Sequence, residues 1–139
     1  MMPHTVAERA ALITGGSSGI GFAIARALGD AGYSITISGR RAAKVEAVAA
    51  SIGADCRAVA GDVTVQADRV AMLAAAADHG GGRLDVLVNN AGNMYRQAVA
   101  EYTESFLKEA FDTNVISGMM LSSLAVPWLE QSRGSIIFL

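Results

Sequence analysis

The residues best suited to do chemistry begin with TGGSSGIG, Thr14 to Gly21. Gly15, Gly19 and Gly21 let the chain turn sharply, let a pyrophosphate approach the backbone, and let a helix pack close to a strand. With Ser17, Ser18 and Ile20 they make a loop whose free N–H groups, at the positive end of a helix dipole, favour an anion. A phosphate-loop nucleotidase would place Lys and then Ser or Thr after the last glycine, but Phe22 and Ala23 stand there. The loop therefore suits a dinucleotide. The second stretch is SGRR, Ser38 to Arg41. A site that prefers NAD usually carries Asp or Glu at this point, to accept hydrogen bonds from the ribose 2′-hydroxyl. Arg40 and Arg41 instead offer guanidinium donors suited to a 2′-phosphate, so NADP(H) is expected in preference to NAD(H). The plainer alternatives are a glycine turn with no ligand and two arginines that simply open a solvated helix.

Such a loop works only between a strand and a helix, and the flanking sequence supplies both. Short apolar runs alternate with helix-period segments: strand 10–14, helix 19–32, strand 33–38, helix 41–53, strand 55–63, helix 65–80 and strand 84–92, the last running into a turn. A long helix is predicted from 103 to about 131, with Pro127 near its end, and a further strand from 136. This rhythm predicts a parallel sheet with right-handed crossovers and helices on both faces. No linker, repeat or low-complexity segment interrupts it, so residues 1–139 read as one domain or part of one.

Composition narrows the classes further. A chain of 139 residues that is 52% hydrophobic supports one core. A formal net charge of -2 gives neither a basic patch for nucleic acid nor an acidic tail. Cys56 is the single cysteine. That excludes an internal disulfide and a cysteine metal cluster, makes a buried hydrophobe its ordinary role, and points to a reducing, cytoplasmic setting. His4 and His79 have no ligand-spaced partners, so no metal site is expected. No apolar run approaches the roughly 20 residues of a membrane span.

Taken together, the motifs resemble the short-chain dehydrogenase/reductase family in its common form. TGGSSGIG resembles the family's TGxxxGxG cofactor loop, GDVT with Asp62 and Val63 its adenine-contacting turn, and NNAG at Asn89 to Gly92 its fourth-strand motif. Asn114 falls in the long helix, in the family's order and spacing. The resemblance implies a Rossmann-like doubly wound α/β sheet of order 3-2-1-4-5. It also implies that Asp62 bonds the adenine amino group, that Val63 packs on the ring, that Ala91 and Gly92 line the cofactor ribose, and that Asn89 helps hold the central strands together.

The activity implied is hydride transfer between the nicotinamide of NADP(H) and a carbonyl or alcohol substrate. In the family a Ser follows the fifth strand, and a Tyr-x-x-x-Lys motif follows on the next helix. Here Tyr33, Tyr95 and Tyr102 are followed four places later by Ile37, Val99 and Phe106. Of the catalytic set only Asn114 is expected, which in the family helps position a water linked to the lysine; its plainer role is a hydrogen bond to nearby backbone. The chain is thus expected to be a cofactor-binding half, ending before the sixth and seventh strands. From Val115 to Leu129 the long helix is apolar nearly all round. Met119, Met120, Leu124 and Trp128 are candidates for a homo-oligomer contact, since this helix forms a dimer interface in the family, with core packing as the alternative. The rival class is a non-catalytic dinucleotide-binding or dimerisation module.

Overall fold

A computed structural model describes residues 9–139; His4 lies outside them. Five strands form one parallel sheet: β1 (Ala10–Thr14), β2 (Ser34–Gly39), β3 (Cys56–Ala60), β4 (Val86–Asn89) and β5 (Ser135–Phe138). Their order is β3-β2-β1-β4-β5, the expected one. Between them run α1 (Gly19–Asp30), α2 (Ala42–Ile52), α3 (Gln66–His79), α4 (Glu104–Phe111) and α5 (Ser117–Ser132).

Every residue of β1 is buried, as a strand covered on both faces requires. Strand alternation sends Ala11 and Ile13 to one side, where they pack with Ile35, Ile37, Ala25 of α1 and Val45 of α2. Leu12 and Leu87 face the other way, onto Met72 and Leu73 of α3 and Leu121 and Ala125 of α5. The pairing register is set by the same pattern: Leu12 sits beside Thr36 on one side and Leu87 on the other. Cys56 is buried in the first of these layers, and burial pushes its thiol up to about 11. Asp85 secures the start of the sheet. Its Oδ2 accepts from the Ala10 N–H at 2.9 Å, and Arg83 bonds its carboxylate at 2.6 Å. Burial works against ionising Asp85, but the bonds from Arg83 and Ala10 outweigh it and hold the carboxyl below its ordinary range.

Two predicted strands are shorter than expected. β3 stops at Ala60 and β4 at Asn89, so residues 61–65 and 90–93 are freed from the ladder to form turns at the same end of the sheet. The long helix is continuous from its N-cap, where Thr103 Oγ1 accepts from the Phe106 N–H at 3.2 Å. It is not regular, however: Asp112–Ile116 is a π-helical turn between α4 and α5. Propensity carries no signal for this turn, and such turns gather at functional sites. Beyond it the buried stripe is Ser117, Leu121, Ala125 and Leu129, four residues apart, which is narrower than the all-round apolar sequence. Leu124 and Trp128 pack partly against the core, whereas Met119 and Met120 are exposed. Among the described residues no helix is long and apolar enough to cross a membrane.

Candidate functional site

The freed turns meet in a cleft of about 900 Å³ across the C-terminal ends of β1 to β4, the place where open parallel sheets handle ligands. Gly15, Ser17, Ser18 and Ile20 line it from the β1–α1 turn; Arg40, Arg41, Asp62, Val63, Ala91 and Gly92 line it from the other three. Gly19 and Gly21 belong to the same turn but do not line the cleft. Gly15 and Gly19 sit at φ 63° and 56°, left-handed backbone that favours glycine. A Cβ on Gly15 would come within 3.0 Å of the Ala91 Cα, and one on Gly21 would strike the Gly15 carbonyl oxygen and the Asn90 amide. The helix N-terminus is thereby brought onto the strand end, with no side chain between.

Asn90, which the sequence reading passed over, ties these pieces together. Its Nδ2 donates to the carbonyls of Thr14 at 3.1 Å and Gly15 at 3.0 Å. The N–H groups of Asn90 and Ala91 donate to Thr14 Oγ1 at 3.1 and 3.0 Å. Asn89 was expected to hold the central strands, and its side chain does something else: Nδ2 donates to Ser122 Oγ on α5 at 2.9 Å, while Oδ1 is buried without a partner among the described residues. Asn89 is the last residue of β4 and Asn90 the first beyond it, where the chain leaves the ladder and the Asn90 side chain reaches the glycine turn.

Asn89 and Asn114 do not line the large cleft. They share a cavity of about 20 Å³ with Thr14, Ser117 and Phe138. Asn114 lies in the π turn and makes a reciprocal pair with the backbone of Asn93: its Oδ1 accepts from the Asn93 N–H and its Nδ2 donates to the Asn93 carbonyl, both at 2.8 Å. A Cβ on Gly92 would come within 3.0 Å of that Oδ1. Two residues beyond Asn93, Tyr95 donates its hydroxyl to Thr113 Oγ1 at 3.0 Å. The loop after β4 is thus fastened to the π turn at two points.

Charge is distributed unevenly along the cleft. Arg40, Arg41 and Lys44 line one end, and none of their three side chains makes a hydrogen bond or salt bridge among the described residues. Lys44 was also missed, although it lies in the first turn of α2, three residues beyond the N-cap Arg41. Glu109 and Asp112 line the cleft from the α4 side. Asp62 stands between. Its Oδ1 accepts from the Thr64 N–H at 2.9 Å and the Thr64 hydroxyl at 2.7 Å; these bonds, aided by the fields of Arg40 and Arg69, hold its carboxyl below the ordinary range. The cleft therefore offers a backbone cradle, three uncommitted cations and an ionised carboxylate. His79 is occupied elsewhere, with Nε2 at 2.8 Å from the Asp55 carbonyl. Among the described residues no group of three or more His, Cys, Asp or Glu is gathered as for a metal ion.

Comparison with known proteins gives the same picture. A family profile described as short chain dehydrogenase matches residues 9–139. The chain is 36% identical over 136 residues to the human dehydrogenase/reductase SDR family member 2, mitochondrial, covering 95% of this chain and 48% of that protein. It is 36% identical over 138 residues to a rhamnolipids biosynthesis 3-oxoacyl-[acyl-carrier-protein] reductase of Pseudomonas aeruginosa, covering 97% and 54%. An uncharacterized oxidoreductase of Staphylococcus epidermidis is 35% identical over 133 residues, covering 95% and 57%. A solved structure of a short chain dehydrogenase/reductase family protein superposes with a TM-score of 0.85 at 33% identity, covering 96% of this chain and 55% of the other. The chain spans about half the length of the curated relatives it matches. On this sequence, this sheet and these turns, the chain belongs to the short chain dehydrogenase family.

Proposed function

We propose that residues 1–139 form the NADP(H)-binding domain of an oxidoreductase that moves hydride between nicotinamide and a carbonyl or alcohol substrate. The observation that carries this reading is the convergence of the glycine turn, the unpaired cations and the Asp62–Val63 turn on one cleft. Its volume of about 900 Å³ lies near the top of the roughly 300–1,000 Å³ range of cofactor clefts. A dinucleotide fits the chemistry present. The backbone of Gly15 to Gly21 would hold the pyrophosphate, and Arg40 and Arg41, with Lys44, would hold a 2′-phosphate. Asp62 and Val63 would hold the adenine, with Ala91 and Gly92 beside the ribose. Bound NADPH would supply hydride to the substrate carbon.

Within this proposal Asn114 is a positioning residue that keeps Gly92 and Asn93 in place beside the cleft. The names of the human and Pseudomonas relatives support the carbonyl and alcohol substrate class. No tyrosine of this sequence has a lysine four residues on, so the 139-residue chain alone binds cofactor without turning it over. Self-association and a cytoplasmic setting belong to the same reading. The first is supported by the exposed Phe111, Ile116 and Met119 along the helical stretch from Glu104 to Ser132, and the second by the free, buried Cys56.

Calorimetric titration of the chain with NADPH and with NADH tests the proposal. NADPH should bind the more tightly, by about ten- to a hundredfold if one charge-assisted bond to the 2′-phosphate is at stake. No binding of either cofactor would overturn it, and equal binding of both would overturn the NADP assignment.

A further inference from the structure

We infer that Arg69 is a positioning residue for the cleft: from the first turn of α3 it fixes the Asp62–Val63 turn that faces the adenine half of a dinucleotide, a role that rests on the cleft's reading as a dinucleotide site. Arg69 is 7% exposed. Burying a guanidinium is costly unless its donors are matched, and here three are. Nη1 donates to the Val63 carbonyl at 2.6 Å, and Nε and Nη2 donate to Gln66 Oε1 at 3.2 and 2.8 Å. None of these acceptors is a carboxylate. An apolar residue would serve the packing of α3 equally well, so what the guanidinium adds is an anchor on one particular carbonyl.

That carbonyl lies in the short connection between β3 and α3, outside both elements. The β3 ladder ends at Ala60, and α3 begins after Val65, an N-cap with no side-chain cap bond. Across the five residues between, Gly61 N–H donates to the Gly39 carbonyl at 3.0 Å and Val65 N–H to the Asp62 carbonyl at 3.0 Å. Within the segment Thr64 bonds Asp62 Oδ1 through its N–H and hydroxyl, and the Val65 carbonyl accepts from the Arg69 N–H at 3.0 Å. The side-chain fastenings from outside it come from two adjacent residues of α3: Asp68 Oδ2 accepts from the Asp62 N–H at 2.8 Å, and Arg69 takes Val63. With its carbonyl held on the helix side, Val63 lines the cleft beside Asp62. The Asp62 carboxylate is held ionised chiefly by Thr64, and the nearby Arg69 charge favours the same state.

Two probes separate the halves of the cleft in the 139-residue chain: 2′,5′-ADP, which carries the adenine and the 2′-phosphate, and inorganic pyrophosphate, which needs only the glycine turn. Both are titrated into the unmodified chain and into Arg69→Met, Arg69→Lys and Gln66→Ala. Arg69→Met should weaken 2′,5′-ADP by about tenfold, through one charge-assisted bond and the turn it holds, while pyrophosphate is unchanged. Arg69→Lys, which keeps the charge and a donor for Val63, should recover part of the loss. Gln66→Ala alters an exposed residue and frees only one side of the guanidinium, so a loss of about two- to threefold is expected. An Arg69→Met chain that binds 2′,5′-ADP normally, or that loses both probes equally, overturns the role. Should that variant fail to fold, normal 2′,5′-ADP binding by both Arg69→Lys and Gln66→Ala overturns it. If the unmodified chain binds neither probe, the dinucleotide reading itself fails and takes this role with it.

Discussion

Replacing Gly21 with Ala puts the packing of the glycine turn to a quantitative test. The new Cβ would strike the Gly15 carbonyl oxygen, which is backbone and cannot step aside, and the Asn90 amide, which can. Overpacking of this kind costs about 1–3 kcal/mol. Displacing Asn90 breaks its bonds to the Thr14 and Gly15 carbonyls, at about 0.5–1.5 kcal/mol each. Helix propensity returns about 1 kcal/mol, since Gly21 lies inside α1. The net loss is about 1–5 kcal/mol, or a fall in Tm of roughly 3–17 °C for a domain of this size. Gly19 is the control. A Cβ there meets nothing within 4 Å, so Gly19→Ala carries only the cost of its left-handed backbone, about 1–2 kcal/mol. Thermal unfolding of both variants, alone and combined with Asn90→Ala, isolates the contact. Gly21→Ala and Asn90→Ala should be non-additive by about 1 kcal/mol or more, because the second change removes an atom the first collides with. Gly19→Ala and Asn90→Ala should simply add. Additive behaviour of the Gly21 pair would refute the account of the turn.

Removing Arg40 as Arg40→Ala should weaken NADPH about ten- to a hundredfold and leave NADH unchanged by calorimetry; equal losses for both would mean that Arg40 acts on the fold. Asp85 has a folded pKa below its unfolded value, so the stability it contributes is fully present above the unfolded value of about 3.9 and is lost as pH falls through the folded one. Acid unfolding of Asp85→Asn should accordingly show a shallower loss of stability below pH of about 4 than the unmodified chain, and an unchanged slope would remove Asp85 from the explanation. Met119 is 61% exposed, and Met119→Glu should lower the average mass seen by light scattering without lowering Tm; an unchanged mass would exclude this helix face from self-association.

Most of the fold was legible because each strand announces itself locally. AALIT is four consecutive apolar residues closed by a threonine, too short and too uniform for an amphipathic helix, and it is β1 residue for residue. What stayed hidden depends on partners far along the chain. Whether Asn89 or Asn90 reaches the glycine turn depends on where β4 leaves the ladder, and the π turn around Asn114 accompanies a pairing with Asn93 that spans 21 residues. Arg69 reads in sequence as an ordinary solvated helix charge; only the early end of β3 exposes the carbonyl it binds. Asp62 and Val63 were singled out by their resemblance to a family motif, whereas the glycine turn, Arg40 and Arg41 stood out from the residues alone. Their residue types are tied to backbone geometry and charge at fixed places in a strand–helix unit.

The measurement closest to the central claim is amide chemical-shift mapping by NMR during titration of the 139-residue chain with NADPH. If the cleft holds the cofactor as proposed, the largest shifts fall on Gly15 to Gly21, Arg40, Arg41, Asp62, Val63, Ala91 and Gly92, and the amides of the distant α2 and α3 C-termini stay still. Saturable shifts centred elsewhere on the sheet, or none at NADPH concentrations well above those that saturate family-type cofactor sites, would contradict the account.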